Sequence, residues 1–325
     1  MLLLLLFLAA LWWCGSSPGG DREVLFEVLH GWGGRQVASA LEDSGLVRCS
    51  LYTLWRGQRL GVLDHLQAGT YLLSSSMSPD SILLIIASGR VVPVPTHWVT
   101  LPEGLMLEGS IERLASSLER DPAILDSIAR DADFVGTLGV GGRDLEGYLF
   151  PETYEFADSL PHGAVLSRIV EAGLSAWGGA VDSALAAIPL GSRQELIVLA
   201  SIVEREARVD SERPRIARVF LNRLERGLRL ESCATVQYAL GETRERLLYS
   251  DLRLDHPYNT YLHAGLPPGP ICSPGLASIL AVAFPDTIRG ELYFVSRGDS
   301  SGLHLFATTL AEHRRNVRAV RDGGG

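Results

Sequence analysis

The first apolar stretch of the chain is shorter than a helix that crosses a membrane. Residues 2–13 hold no polar position, and residues 14–20 then form a linker rich in Gly, Ser and Pro. A spanning helix needs roughly 20 apolar residues, whereas the apolar part of a secretory signal needs about 7–15. The pattern predicts an export signal or a truncated membrane anchor, although no Lys or Arg precedes it.

The pattern that follows predicts a small α+β module over residues 21–92. Residues 24–29 (VLFEVL) and 68–73 (AGTYLL) are typical of strands, and residues 35–46 place apolar positions at helical spacing. A second helix is predicted to begin with Ser78 as N-cap and Pro79 in its first turn, and to end at Gly89. The Pro-rich residues 91–99 favour a domain boundary there.

Residues 93–325 are predicted to form a larger mixed α+β domain. Mainly helical patterns cover 110–180 and 194–226, the latter with a break near Pro214. An aromatic segment over 144–156 interrupts the first of these, and a Pro/Gly loop occupies 262–275. The predictions then continue with a helix at 275–284, a strand at 291–296 and a final helix at 310–320.

Composition narrows the classes of function. A net charge of -9 argues against a nucleic-acid protein, which needs a basic face to offset phosphates. The 6 Trp, 9 Tyr and 9 Phe suit the stacking and hydrogen bonding that hold a sugar polymer. The four cysteines form no CxxC pair and no cluster has metal-ligand spacing, so we predict neither a metal nor another cofactor. Cys233 and Cys272 are candidates for a disulfide or for two free thiols.

The stretch that carries most chemical information is an apolar helix that ends in two carboxylates. At 3.6 residues per turn, Leu199, Ile202, Val203 and Glu206 share one face. Glu204 lies about 160° away around the helix, nearer Arg208, where we expect it to be solvated or paired.

Glu206 is therefore the candidate catalytic acid. Burial on an apolar face raises the pKa of a glutamate, and a protonated carboxyl is what glycosidic cleavage needs, because the leaving oxygen must accept a proton. The equally weighted alternative is a structural ion pair with Arg205, Arg218 or Arg223.

Several stretches resemble the MltG/YceG-like family of endolytic murein transglycosylases, and they occur in that family's order. The matching stretches are AGTYLL (68–73), VTLPEGLMLEGSIERLA (99–115), LEGYLFPETYEF (145–156), LASIVEREA (199–207), RVFLNRLERGLRL (218–230), ATVQYALG (234–241), PYNTYLHAGLPPGPICSPGLASILAVAFP (257–285) and LYFVSRGDSSGLHLFATTLAEHRRNV (292–317).

The resemblance implies a bacterial inner-membrane protein with a single-pass anchor over residues 1–20, a LysM-like module over 21–92 and a catalytic domain over 93–325 outside the cytoplasm. It implies cleavage of the β-1,4 bond between MurNAc and GlcNAc within peptidoglycan strands, without water, to leave 1,6-anhydro-MurNAc ends. The second Glu of the family's E-x-E motif is the catalytic residue by this resemblance, which is Glu206 here. Partners would be the glycan strands and wall-synthesis enzymes such as penicillin-binding proteins.

The sequence offers further candidate site residues besides Glu206. Possible supporting carboxylates are Glu204, Glu146 and Glu152, of which the last two lie in the aromatic segment that we expect to line the cleft. Candidate substrate-binding residues are Tyr148, Tyr154, Tyr258, Asn259, Thr260, Tyr261 and His304. Core packing is the alternative for Tyr148 and Tyr154, and a surface or core position is the alternative for His304.

One residue departs from the family pattern. Many relatives have an Asp where this chain has Cys233, which puts full activity in doubt. A non-catalytic glycan-binding scaffold is therefore the alternative function, and a hydrolytic muramidase with reducing-end products is a third.

Overall fold

The structure is a computed structural model that describes residues 12–29, 31–92, 95–242, 244 and 247–323. The chain divides into two compact units, Met1–Pro95 and Thr96–Gly325. The apolar run predicted as an export signal or anchor lies mostly outside the described residues. None of the described helices combines the length and the apolar character that crossing a membrane requires.

The first unit packs helices against one antiparallel pair of strands. Its elements are β1 (Glu23–Val28), α1 (Gly34–Asp43), α2 (Ser50–Leu60), a short 3-10 turn (Leu63–His65), β2 (Gly69–Ser74) and α3 (Pro79–Ala87). In β1 and β2, alternate residues such as Phe26 and Tyr71 face a core that also holds Leu41 and Ile82. The predicted N-cap of α3 is confirmed, because the Ser78 hydroxyl accepts the backbone N–H of Ser81 at 3.2 Å.

Helix α2 is an element that the sequence reasoning missed. Its interior Gly57 weakens the helical signal, since glycine costs about 1 kcal/mol relative to alanine inside a helix. The structure explains this glycine: a Cβ atom there would lie 2.4 Å from the Cδ2 atom of Leu63.

The second unit is mainly helical, with two further antiparallel strand pairs, β3–β4 and β5–β6. Its strands are β3 (Thr96–Thr100), β4 (Thr153–Ala157), β5 (Tyr293–Ser296) and β6 (His304–Ala307), and its helices are α4 (Leu107–Ser117), α5 (Pro122–Ala129), α6 (Ala132–Thr137), α7 (His162–Leu185), α8 (Arg193–Glu206), α9 (Arg213–Glu225), α10 (Cys233–Leu240), α11 (Leu276–Ala283) and α12 (Leu310–Gly323). Short 3-10 turns cover Asp210–Glu212 and Asp251–Arg253. The mixed α+β class is therefore confirmed.

Helix α8 is the central helix of this unit. Eight consecutive residues, 196–203, are buried, because α7, α9, α10 and α11 pack around it. A helix that is apolar all round belongs in a core. The charged end of α8 is thereby placed at the edge of that core, and the predicted break before Pro214 is confirmed by the separate helix α9.

Candidate active site

A cleft of about 430 Å³ opens in the second unit at the C-terminal end of α8. Its walls come from the end of α8, from α9, from the segment that leads into α10 and from β5 and β6. The lining residues that matter for chemistry are Glu206, Glu231, Ser232, Cys233, Tyr261 and His304.

Glu206 is the last residue of α8, and its carboxylate meets the first turn of α10. The Ser232 hydroxyl donates a hydrogen bond to its Oε1 atom at 2.5 Å, and the backbone N–H of Ala234 donates a second one. Ser232 is the N-cap residue of α10, yet its hydroxyl caps no backbone group of that helix. The Glu206 carboxylate therefore takes the place of the missing cap at this helix end.

Two opposing influences set the acidity of Glu206. Burial raises the pKa of its carboxyl, because a charged group is poorly solvated there. The hydrogen bonds from Ser232 and Ala234 and the nearby His304 and Arg205 favour the charged form and partly offset that rise. The outcome is a raised pKa, while the side chain still reaches the cleft surface.

Three arginines were the alternative ion-pair partners of Glu206, and two of them bind other groups. Arg218 lies 3.8 Å from Glu225 and donates to the carbonyl of Asp286 at 2.6 Å. Arg223 pairs with Glu231. Arg205, the third, donates to the Gly104 carbonyl at 3.4 Å and contributes a favourable charge near Glu206.

His304 lines the same cleft and is held by a carboxylate that sequence reasoning missed. Its Nδ1 atom lies 2.7 Å from Oε2 of Glu212, and its backbone N–H donates to both oxygens of that carboxylate at 3.1 Å. Both side chains are largely buried, and the Phe294 ring meets the imidazole edge-on at 5.4 Å. The 92 residues that separate His304 from Glu212 left no local signal of this pair.

Of the two environments expected for Glu204, the structure shows the paired one. Its carboxylate is buried and pairs with Arg213 at 3.1 Å. It also accepts the backbone N–H of Gly275 at 3.0 Å. Through these contacts Glu204 connects α8 to α9 and to the start of α11.

The two carboxylates of the aromatic segment lie apart from the residues that line the cleft. Glu146 is buried and accepts the backbone N–H of Leu107 at 3.0 and 3.1 Å, at the start of α4. Burial raises its pKa to about 7, and the Tyr238 hydroxyl donates to it at 3.3 Å. The Glu152 side chain is exposed and, among the described hydrogen bonds, accepts only the backbone N–H of its neighbour Thr153.

For the aromatic candidates Tyr148 and Tyr154 the structure favours the alternative of core packing. Their exposed fractions are 6% and 7%, and both belong to the main hydrophobic core. The Tyr154 hydroxyl donates to the Phe150 carbonyl at 2.7 Å. Rings enclosed in this way present no open face on which a sugar could stack.

The candidates over 258–261 divide into supporting and cleft-lining residues. Asn259 is fully buried and donates to the carbonyls of Leu252 and Leu254 at 3.1 and 2.8 Å. The buried Thr260 hydroxyl accepts the Ser232 backbone N–H at 3.0 Å. These contacts use their polar groups within the fold, which favours a structural role for both residues.

The two tyrosines of this segment also differ. Tyr261 lines the cleft, and its hydroxyl lies 3.2 Å from the Sγ atom of Cys233. The Tyr258 ring instead packs on Tyr238, with ring centres 4.7 Å apart.

The cysteines resolve the open alternative of the sequence. Cys233 and Cys272 are free thiols, exposed and buried respectively. A disulfide joins Cys14 to Cys49 in the first unit. Cys233 thus brings a thiol to the cleft wall beside Tyr261, where partial desolvation raises its pKa.

Ser232 and Glu231 are cleft residues that the sequence reasoning did not single out. Glu231 has a φ of +51°, in the left-handed region that a residue with a side chain rarely adopts. Its pairing with Arg223 holds the segment that presents Ser232 to Glu206. Strain of this kind is found where the surrounding structure fixes a functional segment.

The fold and the site together define a mixed α+β protein with an enclosed acid on the wall of an open cleft. The chain belongs to the YceG-like family, whose model matches residues 26–319. Two curated relatives are named endolytic murein transglycosylase. The Bacillus subtilis protein is 33% identical, over 86% of this chain and 79% of that protein.

The Streptococcus pneumoniae relative is 29% identical over 87% of this chain, which spans 56% of that longer protein. Among solved structures, a YceG-like protein from Listeria monocytogenes superposes with a TM-score of 0.59 at 29% identity. That match covers 91% of this chain and 99% of the Listeria chain.

Proposed function

We propose that this protein is an endolytic lytic transglycosylase, which cuts the MurNAc-β-1,4-GlcNAc bond inside peptidoglycan strands and leaves 1,6-anhydro-MurNAc ends. Family membership and the names of the relatives support the reaction class. The observation that carries the proposal is the position of Glu206: a carboxyl with a raised pKa, fixed by Ser232 and Ala234, on the wall of a cleft.

In the proposed mechanism Glu206 acts twice. Its protonated carboxyl first gives a proton to the glycosidic oxygen, and the bond from that oxygen to C1 of MurNAc breaks. The resulting carboxylate then takes the proton from the C6 hydroxyl of the same MurNAc, and the C6 oxygen forms a new bond to C1. The proton returns to Glu206, so the cycle closes without consuming water.

The surroundings of Glu206 suit both protonation states. Burial favours the acid that starts the cycle, while the Ser232 hydroxyl and the Ala234 N–H stabilise the carboxylate that follows. Most glycosidases use two carboxylates, but an attacking hydroxyl held within the substrate removes the need for a second one and gains from proximity. The mechanism therefore needs neither Glu204 nor Glu146, and both can have structural roles.

His304 is the second cleft residue to which we assign a role. Glu212 fixes the orientation of its ring, so that the imidazole can position a sugar hydroxyl or acetamido group beside Glu206. Tyr261 supplies a further hydroxyl on the same wall.

Location and partners complete the proposal. An enzyme of this class works on the wall, outside the cytoplasm, and the apolar residues 2–13 support attachment of its N-terminus to the membrane. The single-pass anchor, the LysM-like character of residues 21–92 and association with penicillin-binding proteins are proposals that rest on the family resemblance.

The test is digestion of purified peptidoglycan strands by the full chain, followed by mass analysis of the products. We expect anhydro-ended fragments, each one water lighter than its hydrolytic counterpart. Glu206→Gln should lower the rate by about 10²–10⁴-fold, the usual contribution of a general acid–base group. Glu152→Gln, which changes an exposed glutamate, is the matched control and should retain full activity.

The alternatives give different products. Fragments with reducing ends would identify a hydrolytic muramidase, and strands that bind but stay uncut would identify a scaffold. Full activity of the Glu206→Gln variant would exclude the mechanism.

A further inference from the structure

Four large apolar side chains close in sequence to the Cys14–Cys49 disulfide of the first unit are exposed. The exposed fractions are 76% for Trp12, 50% for Trp13, 81% for Leu51 and 45% for Trp55. We call these four residues the tryptophan patch. Single exposed apolar residues are ordinary, whereas a contiguous group of large ones on a surface marks an interaction site.

Covalent and polar contacts bring the two parts of the patch together. The disulfide between Cys14 and Cys49 ties the residues after Trp13 to the start of α2. The Arg48 guanidinium lies 4.9 Å from the centre of the Trp13 ring and donates to the carbonyls of Ser17 and Pro18 at 3.2 and 3.1 Å. The patch is therefore a fixed feature of the first unit.

Helix α2 adds a basic charge to the patch. Leu51, Trp55 and Arg59 are spaced four residues apart and lie on one stripe of the helix. The guanidinium of Arg59 lies 5.5 Å from the Trp55 ring centre. Arg56 of the same helix is paired with Asp80, and Glu42 accepts the backbone N–H of Ser50 at the helix start. Arg59 is therefore the residue that gives the apolar stripe a positive charge.

This combination fits the headgroup layer of an anionic bilayer. Tryptophan prefers that layer, and interfacial helices pair Trp or Leu with Arg or Lys. Trp12 also directly follows the apolar residues 2–11, which would lead the chain to the same surface.

We infer that the tryptophan patch rests on an anionic membrane surface and holds the first unit flat against it. The inference rests on the membrane attachment in the proposed function and extends it. The membrane contact would be made by a folded surface containing α2 in addition to the N-terminal run.

Tryptophan quenching tests the contact. The full chain is reconstituted into vesicles of phosphatidylcholine and phosphatidylglycerol, with or without bromine on the acyl chains. The emission lost in Trp55→Phe gives the signal of Trp55, and that lost in Trp98→Phe gives the signal of Trp98, which is 65% exposed in the second unit. We expect bromine to reduce the Trp55 signal at least two-fold and to leave the Trp98 signal unchanged.

Two further measurements test the role of the Arg59 charge and whether something other than a membrane covers the tryptophan patch. Arg59→Gln should weaken quenching of Trp55 in anionic vesicles and have no such effect in vesicles of phosphatidylcholine alone. An unquenched Trp55 signal would overturn the inference. Unquenched emission together with dimers in sedimentation would instead assign the patch to a second copy of the chain.

Activity is measured separately on the same samples. Trp55 lies outside the proposed catalytic machinery, so Trp55→Phe should cut soluble strands at the normal rate. Loss of membrane contact and failure of the transglycosylase proposal are therefore distinguishable outcomes.

Discussion

At the scale of single residues, the proposed chemistry depends on how Glu206 shares its hydrogen bonds. The helical spacing in the sequence predicted an apolar environment for Glu206, and burial does raise the pKa of its carboxyl. The same spacing did not predict that Glu204 is buried too, because α8 is enclosed all round. Ser232 and Glu212 were not predicted, since they approach the cleft from segments 26 and 92 residues away from their partners. Contacts of that range depend on tertiary packing, which one-dimensional patterns do not encode.

Removal of the Ser232 hydroxyl should change the pH profile. The hydroxyl stabilises the Glu206 carboxylate, so Ser232→Ala raises the pKa of Glu206 further. Activity that requires the protonated acid is lost as pH rises through that pKa, and this basic limb of kcat/KM should therefore move to higher pH. The rate should also fall roughly tenfold, because a hydrogen bond to a charged group is lost.

A serine elsewhere in the cleft provides the control for this change. Ser296→Ala alters the cleft wall at β5 and should leave the basic limb in place. A limb that stays fixed in Ser232→Ala, or that moves to lower pH, would contradict the assigned role.

The His304–Glu212 pair should behave as one unit. Glu212→Gln leaves the imidazole without its carboxylate partner, and a misplaced group in an active site can cost about 10²-fold in rate. His304→Ala should cost a similar factor, and the double variant should lose no more than the worse single variant. Losses that simply multiply in this double-mutant cycle would show that the residues act independently.

At the scale of secondary structure, elements with a strong local pattern were predicted and elements without one were missed. Helix α8 has an unbroken apolar run, and α3 has a regular start, so both patterns were strong. Strand β6 was missed, whereas the equally short β5 was predicted from its apolar and aromatic run. Helix α10 begins after Ser232, a residue type that usually caps a helix, but its hydroxyl is directed to Glu206 and caps no backbone group. The usual N-cap hydrogen bond is missing there because the site uses the Ser232 hydroxyl.

Glu146 at the start of α4 should make stability depend on pH. Its pKa is raised from 4.5 to about 7, so between these values the folded chain holds a proton that the unfolded chain has released. The free energy of unfolding should therefore fall as pH rises through this window, by about 3 kcal/mol at most.

Glutamine can still accept the Leu107 N–H and has no charge to bury. Denaturant unfolding at pH 5 and pH 8 should thus show a flatter dependence for Glu146→Gln than for the wild type. Glu152→Gln, at an exposed position, should keep the wild-type dependence. An unchanged slope in Glu146→Gln would show that another group controls it.

At the scale of the whole molecule, the two compact units have different means of stabilisation. The second unit holds a large apolar core around α8, whereas the first has a small core and a disulfide. The proline-rich stretch predicted a boundary after Val92, and the compact units divide after Pro95. The disulfide itself was not predicted, because no local spacing connects Cys14 with Cys49.

Reduction of this disulfide should destabilise the first unit selectively. A crosslink between residues 35 positions apart lowers the entropy of the unfolded chain. In the chain-entropy model this stabilises the folded state by roughly 3–4 kcal/mol. Hydrogen exchange followed by mass spectrometry should show faster exchange in α1, β1 and β2 of a Cys14→Ser, Cys49→Ser variant.

Peptides from α8 and α11 provide the internal reference and should exchange as before. A Cys233→Ser variant, which changes a free thiol, should exchange like the wild type throughout. Uniform acceleration in both units would contradict a stabilising effect confined to the first.

The carboxylate that caps α10 also links catalysis to the rigidity of the cleft. While Glu206 carries its proton, its neutral carboxyl interacts weakly with the positive N-terminal end of α10. When the proton moves to the sugar, the carboxylate carries a full negative charge and this interaction becomes stronger. In the proposed mechanism, this side of the cleft would be held more firmly while the glycosidic bond breaks and less firmly once the proton returns to Glu206. Each cut made by the enzyme would tighten and then loosen the same helix end.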